Sequence, residues 1–212
     1  MIAAAGLGSR LGLGRPKCLL EIAGKSLLER QLELLGNVPD LRIVVGFEET
    51  QVIEAAVRIR PDIIFVRNAA YRTTTTLTSY ALGARGLKDP CLFMDSDILF
   101  EPESFGAFLG DCTTRAPVIA VTPAKTADAV FVHVTGGKVT RFSRVDPAPL
   151  EWANLCFLPP GYCETGTGAV FERLSRDLPL DFLEIASWEV DTLADYEVAK
   201  RGAADLAART AG

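Results

Sequence analysis

Gly6-Leu7-Gly8-Ser9-Arg10 runs directly into Leu11-Gly12-Leu13-Gly14-Arg15-Pro16-Lys17, between a short apolar run, Met1 to Ala5, and the first amphipathic helical segment, Leu27 to Leu35. A strand, a glycine-rich turn and a helix in that order open an open α/β sheet, whose ligands sit at the carboxyl ends of the strands. Glycines in such a turn let backbone N–H groups come close to an anion, and phosphate is the natural guest. Glycines alone would serve a plain turn equally well. Arg10, Arg15 and Lys17 tip the reading, because three cations within eight residues repel one another unless an anion joins them. A guanidinium fork together with a compact ammonium suits a triphosphate. Two familiar phosphate motifs fail. A dinucleotide fingerprint from Gly6 requires glycine where Leu11 stands, and Gly24-Lys25-Ser26 lacks the earlier P-loop glycine, which is Leu19 here.

Working outward, β-branched runs at Leu41 to Phe47, Asp62 to Asn68 and Cys91 to Asp97 read as strands. Helices are expected over Leu27 to Leu35, opened by a Ser26/Glu29 capping box, over about Glu48 to Arg58, and over about Leu77 to Gly86 behind a threonine cluster. Strands separated by crossover helices predict a single Rossmann-like, three-layer α/β/α domain with a mixed, mostly parallel sheet. Gly136-Gly137, between Ala129 to Thr135 and Lys138 to Ser143, signals a hairpin and so a small antiparallel excursion. A helix from about Thr167 to Arg176, a strand Ser187 to Asp191 and a helix from about Leu193 to Ala208 complete the expected elements.

Composition narrows the function classes. The 212 residues are 49% hydrophobic, ample for a core, and 22 Lys+Arg against 27 Asp+Glu leave a net charge of −5. No basic run could follow a nucleic-acid backbone, so no nucleic-acid partner is expected. No apolar stretch approaches the ~20 residues of a bilayer span, and the start shows no basic-then-apolar leader, so no membrane partner and a soluble, cytoplasmic protein are expected. The five cysteines are odd in number and not spaced as a zinc or redox pair, and they read as reduced thiols.

Residues 6 to 17 match throughout the signature G-x-G-x-R, five residues, P-K. In this the chain resembles the nucleotidyltransferase superfamily that makes nucleoside diphosphate sugars and alcohols. With Cys18-Leu19-Leu20-Glu21-Ile22 and Gly24-Lys25 it is most similar to the small bacterial phosphocholine and phosphonate cytidylyltransferases. The similarity extends over most of the chain but is specific only at short motifs. It implies one nucleotidyltransferase domain, with residues 1–116 as the nucleotide-binding half and 117–212 as the half that binds the acceptor and completes the metal site. It implies transfer of a nucleoside monophosphate from an NTP, with CTP as the expected donor, to a phosphocholine-like or alkylphosphonate acceptor. Arg10 and Lys17 would be catalytic, with Ala4, Ala5, Gly6, Gly8, Ser9, Asn68, Thr74, Thr75 and Ser79 joining them around the nucleotide.

Alternation over Asp95-Ser96-Asp97 and over Trp188-Glu189-Val190-Asp191 places each pair of acids on one face, with Trp188 and Val190 turned to the core. The resemblance assigns Asp97, Glu189 and Asp191 to one metal, and such an oxygen set suits Mg2+. Asp95 is the alternative to Asp97. His133, the sole histidine, offers no softer site. Relatives commonly carry Thr-Asn-Asn where this chain has Thr74-Thr75-Thr76, a run that could equally cap the next helix. Lys125, Asp128 and Arg144 fall where relatives gather acceptor groups, and Trp152, Tyr162 and Glu164 offer ring faces and a charge to an ammonium. The alternatives are a hexose 1-phosphate nucleotidylyltransferase using UTP, dTTP or GTP, and a non-catalytic nucleotide-binding regulator. A homodimer is compatible with all of them.

Overall fold

A computed structural model of the chain describes residues 1–8, 12, 14–36, 38–112, 116–126, 128–164 and 168–210. The first stretch builds β1 (Ile2–Ala4), the small hairpin β2 (Glu21–Ile22) and β3 (Lys25–Ser26), α1 (Leu27–Leu34), β4 (Arg42–Val45), α2 (Glu49–Ile59), β5 (Ile64–Arg67), α3 (Thr76–Ala84) and β6 (Cys91–Asp95). There follow β7 (Ile98–Phe100), α4 (Pro102–Cys112), β8 (Val118–Pro123), β9 (Phe131–Thr135), β10 (Lys138–Ser143), β11 (Leu150–Leu158), α5 (Val170–Leu174), β12 (Asp181–Glu184), β13 (Ser187–Glu189) and α6 (Leu193–Thr210). β1 lies inside a nine-stranded sheet of order β10-β9-β11-β6-β1-β4-β5, in which β8 also pairs with β11 and β12 pairs with β8. It runs parallel to both neighbours, with Ile2 opposite Ile43 on one side and Met94 on the other.

Parallel strands covered on both faces need unbroken apolar runs, and Ile43, Val44, Val45, Phe93 and Met94 are all buried. Their side chains divide between two cores. Ile43, Val45 and Met94 meet Leu28, Leu32, Val52, Ala56, Phe105 and Phe108 of α1, α2 and α4. Val44 and Phe93 meet Leu77 and Tyr80 of α3 on the other face. The result is the expected three-layer α/β/α arrangement with a mixed sheet, all parallel from β6 to β5 and antiparallel where β11 joins β6, β8 and β9. A third, smaller cluster joins Leu20, Ile22 and Leu27 to Leu99, Val190, Ala199 and Ala203, so it fastens the segment after Lys17 to β13 and α6.

Local signals behave as their chemistry dictates. The Glu29 N–H donates to Ser26 Oγ at 3.1 Å and caps α1. Gly136 and Gly137, with φ of +60° and +73°, make the turn between β9 and β10. Other expectations are corrected. The strand Cys91 to Asp97 stops at Asp95, so strand alternation does not carry to Asp97. The helix expected from Thr167 is only α5 plus a single 3-10 turn, Ser175–Asp177, and Thr167 lies outside the described residues. α4, β8, β11 and β12 are not signalled by period; β11 in particular is broken by a register shift between Trp152 and Cys156, where Asn154 takes φ +49°. Among the described residues no helix is long and apolar enough to cross a membrane.

Candidate active site

The turn between β6 and β7 carries Asp97. Its position is fixed from two sides. Gln31, fully buried on α1, donates from Nε2 to the carbonyls of Asp95 and Ile98 at 2.9 Å each, and the Val190 N–H donates to the Asp97 carbonyl at 2.9 Å. The antiparallel pairing of β13 with β7, with Glu189 opposite Ile98, brings the second acidic segment alongside. One carboxylate oxygen each from Asp97, Glu189 and Asp191 therefore lies within 4.8 Å of the others. Gln31 was not singled out from sequence, although it is the one polar side chain in the apolar stripe Leu27, Leu28, Gln31, Leu32, Leu35. Gln31→Leu is expected to destabilise the fold by roughly 2–4 kcal/mol, because two buried carbonyls lose their donor. Urea unfolding measures this, and a change below about 0.5 kcal/mol would contradict the fastening role.

Lys17 reaches this cluster from the glycine-rich segment. Its Nζ donates to Asp97 Oδ2 at 3.1 Å and to Asp191 Oδ1. Burial alone would push the ammonium down, but Asp97 and Asp191 outweigh it and the pKa is raised above the usual lysine value. Gly8 makes room: it has φ +60°, and a Cβ there would stand 2.9 Å from Lys17 Cγ, so both conformation and space call for glycine. Glu189 opens to the cavity yet is ringed by protein, and desolvation together with Asp97 and Asp191 raises its pKa well above the carboxylate range. Asp95 is half-buried, and desolvation and the nearby Asp97 raise its pKa to about 8 even though it accepts the Tyr80 hydroxyl at 2.7 Å, a bond that favours the charged form. Asp95 is engaged with α3 in this way, and the carboxylates that come together are those of Asp97, Glu189 and Asp191.

Two cavities, of about 430 and 350 Å³, open on either side. Gly6, Lys17, Thr75, Thr76, Asp95 and Asp97 line both, so the cavities meet at the lysine and the first acid. Ala4, Ala5, Gly6, Gly8, Asn68, Thr74, Thr75 and Ser79 all line the larger one. Ser9 and Arg10 lie outside the described residues. The Asn68 carboxamide is fully used: Oδ1 accepts from Ala70 N–H at 3.1 Å, and Nδ2 donates to Thr74 Oγ1 at 3.0 Å and Ser79 Oγ at 3.2 Å. Asn68 thus shapes the loop. Thr75 occupies the N-cap of α3 without a side-chain cap bond and donates instead to the Gly168 carbonyl at 2.6 Å, joining the two cavity walls.

Lys125, Asp128, Arg144 and Trp152 line the smaller cavity, as do Glu151, Asn154, Phe171 and Trp188. Burial lowers the Lys125 pKa, which Glu151 partly offsets, and its Nζ donates to Thr122 Oγ1 and the Pro123 carbonyl at 2.8 Å. Arg144 lies over the Phe171 ring at 5.2 Å. Tyr162 and Glu164 are not brought to either cavity. Arg173 already covers the Tyr162 ring, its guanidinium carbon 3.9 Å from the centroid, and Glu164 is exposed just beyond a 3-10 turn, Pro160–Cys163. Trp188 also departs from expectation, since its ring walls the cavity instead of entering the core completely.

The model of the MobA-like NTP transferase domain matches residues 1–158, three quarters of the chain. The chain belongs to the MobA-like NTP transferase family. Among curated relatives of this family member, the CMP-5'-(3-aminopropyl)phosphonate synthase of Streptomyces rubellomurinus is 28% identical over 193 residues, covering 84% of this chain and 31% of that protein. The 2-C-methyl-D-erythritol 4-phosphate cytidylyltransferase of Vibrio vulnificus is 33% identical over 82 residues, 37% of this chain and 35% of that one. The chain thus spans about a third of the length of these relatives. In fold it is similar to the CTP:phosphocholine cytidylyltransferase of Streptococcus pneumoniae, with TM-score 0.78, 18% identity, and coverage of 94% of this chain and 96% of the other.

Proposed function

We propose that this family member is a metal-dependent nucleotidyltransferase that moves a nucleoside monophosphate, with CTP as donor, to a small phosphate or phosphonate and releases pyrophosphate. The observation that carries the reading is the meeting of two cavities at Lys17 and Asp97. A two-substrate transfer needs such a junction, and the relatives named for phosphonate and phosphocholine chemistry supply the acceptor class. An acceptor phosphate is already anionic at neutral pH. Its oxygen attacks the α-phosphorus, the new P–O bond forms as the bond to the β-phosphate oxygen breaks, and pyrophosphate leaves with the electron pair. No side-chain base is required.

Catalysis then rests on alignment and charge. The backbone of the Gly6 to Gly8 turn and the ammonium of Lys17 hold the phosphates, Asn68 ties Thr74 to Ser79 at the start of α3, and Arg144 and Lys125 stand towards the acceptor. Asp97, Glu189 and Asp191 fit a hard divalent ion, because the donor set is all carboxylate oxygen with no imidazole or thiolate. Bound there, magnesium would neutralise phosphate charge and favour the departing pyrophosphate. On this reading the smaller cavity takes the acceptor. Arg144→Ala should raise the acceptor KM about tenfold or more, the scale of a charge-assisted hydrogen bond, and leave the NTP KM within about twofold. Glu164→Gln should change neither constant; an acceptor-selective effect there would put the second substrate elsewhere.

Pyrophosphate release measured for four NTPs against choline phosphate, aminoalkylphosphonates and hexose 1-phosphates tests the whole reading. Turnover with CTP and a phosphonate or phosphocholine is expected. A preference for hexose 1-phosphates with UTP, dTTP or GTP would replace both donor and acceptor, and nucleotide binding without any pyrophosphate would make the chain a regulator.

A further inference from the structure

α6 and β13 approach each other at one glycine. A Cβ on Gly202 would stand 2.4 Å from Cε2, 2.7 Å from Cζ2 and 2.8 Å from Cδ2 of Trp188, so the indole lies directly on the helix backbone. Neighbouring Ala199 and Ala203 are buried against Leu20, Leu99 and Val190, which leaves the helix no easy retreat. The ring also walls the smaller cavity, and on that side Lys125 Nζ sits 5.9 Å from its centroid, held by Thr122 and Pro123. Trp188 is therefore seated at its full depth only because position 202 has no side chain. A Cβ there must displace the indole from the helix, and the indole is a wall of the smaller cavity.

We propose that Gly202, which itself touches no ligand, is a specificity-determining position: by letting Trp188 sink against α6, it sets the width of the acceptor cavity. The inference rests on the reading of that cavity as the acceptor site. Control of size by packing behind a wall residue is consistent with interiors that transmit strain rather than absorb it. The larger cavity does not include Trp188 in its lining, so the nucleotide should be indifferent to the change.

The protein carries its own reporter, because both of its tryptophans, Trp152 and Trp188, line this cavity. Titrating phosphocholine and 3-aminopropylphosphonate against tryptophan emission gives acceptor dissociation constants without turnover. Gly202→Ala is expected to weaken both at least about tenfold, phosphocholine with its trimethylammonium more, while the CTP constant stays within about twofold. Trp188→Phe added to Gly202→Ala should restore acceptor binding, since the smaller ring returns the lost space. Trp188→Phe alone, which crowds nothing, should shift relative affinity towards phosphocholine about fivefold and covers the case that Gly202→Ala does not fold. Unchanged acceptor constants in folded Gly202→Ala, or parallel losses for CTP and acceptor with no rescue by Phe, would overturn the inference, as would an unaltered preference in Trp188→Phe alone. Failure of the wild-type protein to bind either probe would overturn it together with the assignment of the cavity. Binding without pyrophosphate release would overturn only the proposed reaction.

Discussion

Lys17→Ala is expected to lower kcat by ~100-fold or more, because a preorganised charge on a developing oxyanion is worth about 3–4 kcal/mol in a water-poor site. The same substitution should act in the opposite sense on metal binding. The Lys17 ammonium already pairs with Asp97 and Asp191, and its raised pKa keeps it charged through neutral pH. Removing it leaves the acids without that counter-charge, so their attraction for a divalent cation should increase. Two measurements check this: steady-state turnover, and the magnesium dissociation constant by calorimetry in the absence of nucleotide. Lower turnover with tighter metal binding is the expected pair. Weaker metal binding, or turnover within about threefold of wild type, would remove Lys17 from the reacting phosphates.

The opening of the sheet was legible because its signals are local: a short apolar run, a glycine-rich stretch and Pro16-Lys17 stand next to one another, and the strands that follow in the sheet, β4 and β6, are short and apolar. The meeting of Asp97 with Glu189 and Asp191 depends instead on the pairing of β7 with β13 and on one hydrogen bond from Val190, none of which leaves a periodic trace. The resemblance supplied that grouping, and composition or spacing would not have. Gln31 shows what a closer reading could have found, since a polar residue within an apolar helical stripe points to a buried partner, here the two carbonyls that its Nε2 reaches. Tyr162 shows the reverse. An aromatic residue close in sequence to an acid suggests a cation pocket, yet Arg173, eleven residues onward in the chain, is the cation that reaches the ring. Gly202 was silent for a physical reason: a glycine inside a helix reads as a small loss of propensity until the indole lying against it is known.

Among the acids, large effects are expected from Asp191, just after β13, and from Asp97, just after β6. Chelation should abolish pyrophosphate release and magnesium should restore it, and Asp191→Asn and Asp97→Asn should each raise the magnesium needed for half-maximal activity by about tenfold or more. Each change removes a ligand charge while keeping the size of the side chain, so the remaining site attracts the ion less strongly. Unfolding can be separated from this effect. Glu189 is held well above the carboxylate range by desolvation and by Asp97 and Asp191, so in the metal-free protein it keeps its proton near neutral pH, and Lys17 balances the two aspartates. Asparagine at 191 removes one of the two charges that disfavour ionised Glu189, and Lys17 keeps Asp97 as its charged partner. The thermal midpoint of Asp191→Asn in chelator should accordingly match or exceed that of the wild type. Magnesium should raise the wild-type midpoint more than that of the variant, as expected of an ion that binds the folded state. An activity loss accompanied by a lower midpoint in chelator would point to a structural role for Asp191. An unchanged magnesium requirement in folded, active protein would exclude it as a ligand.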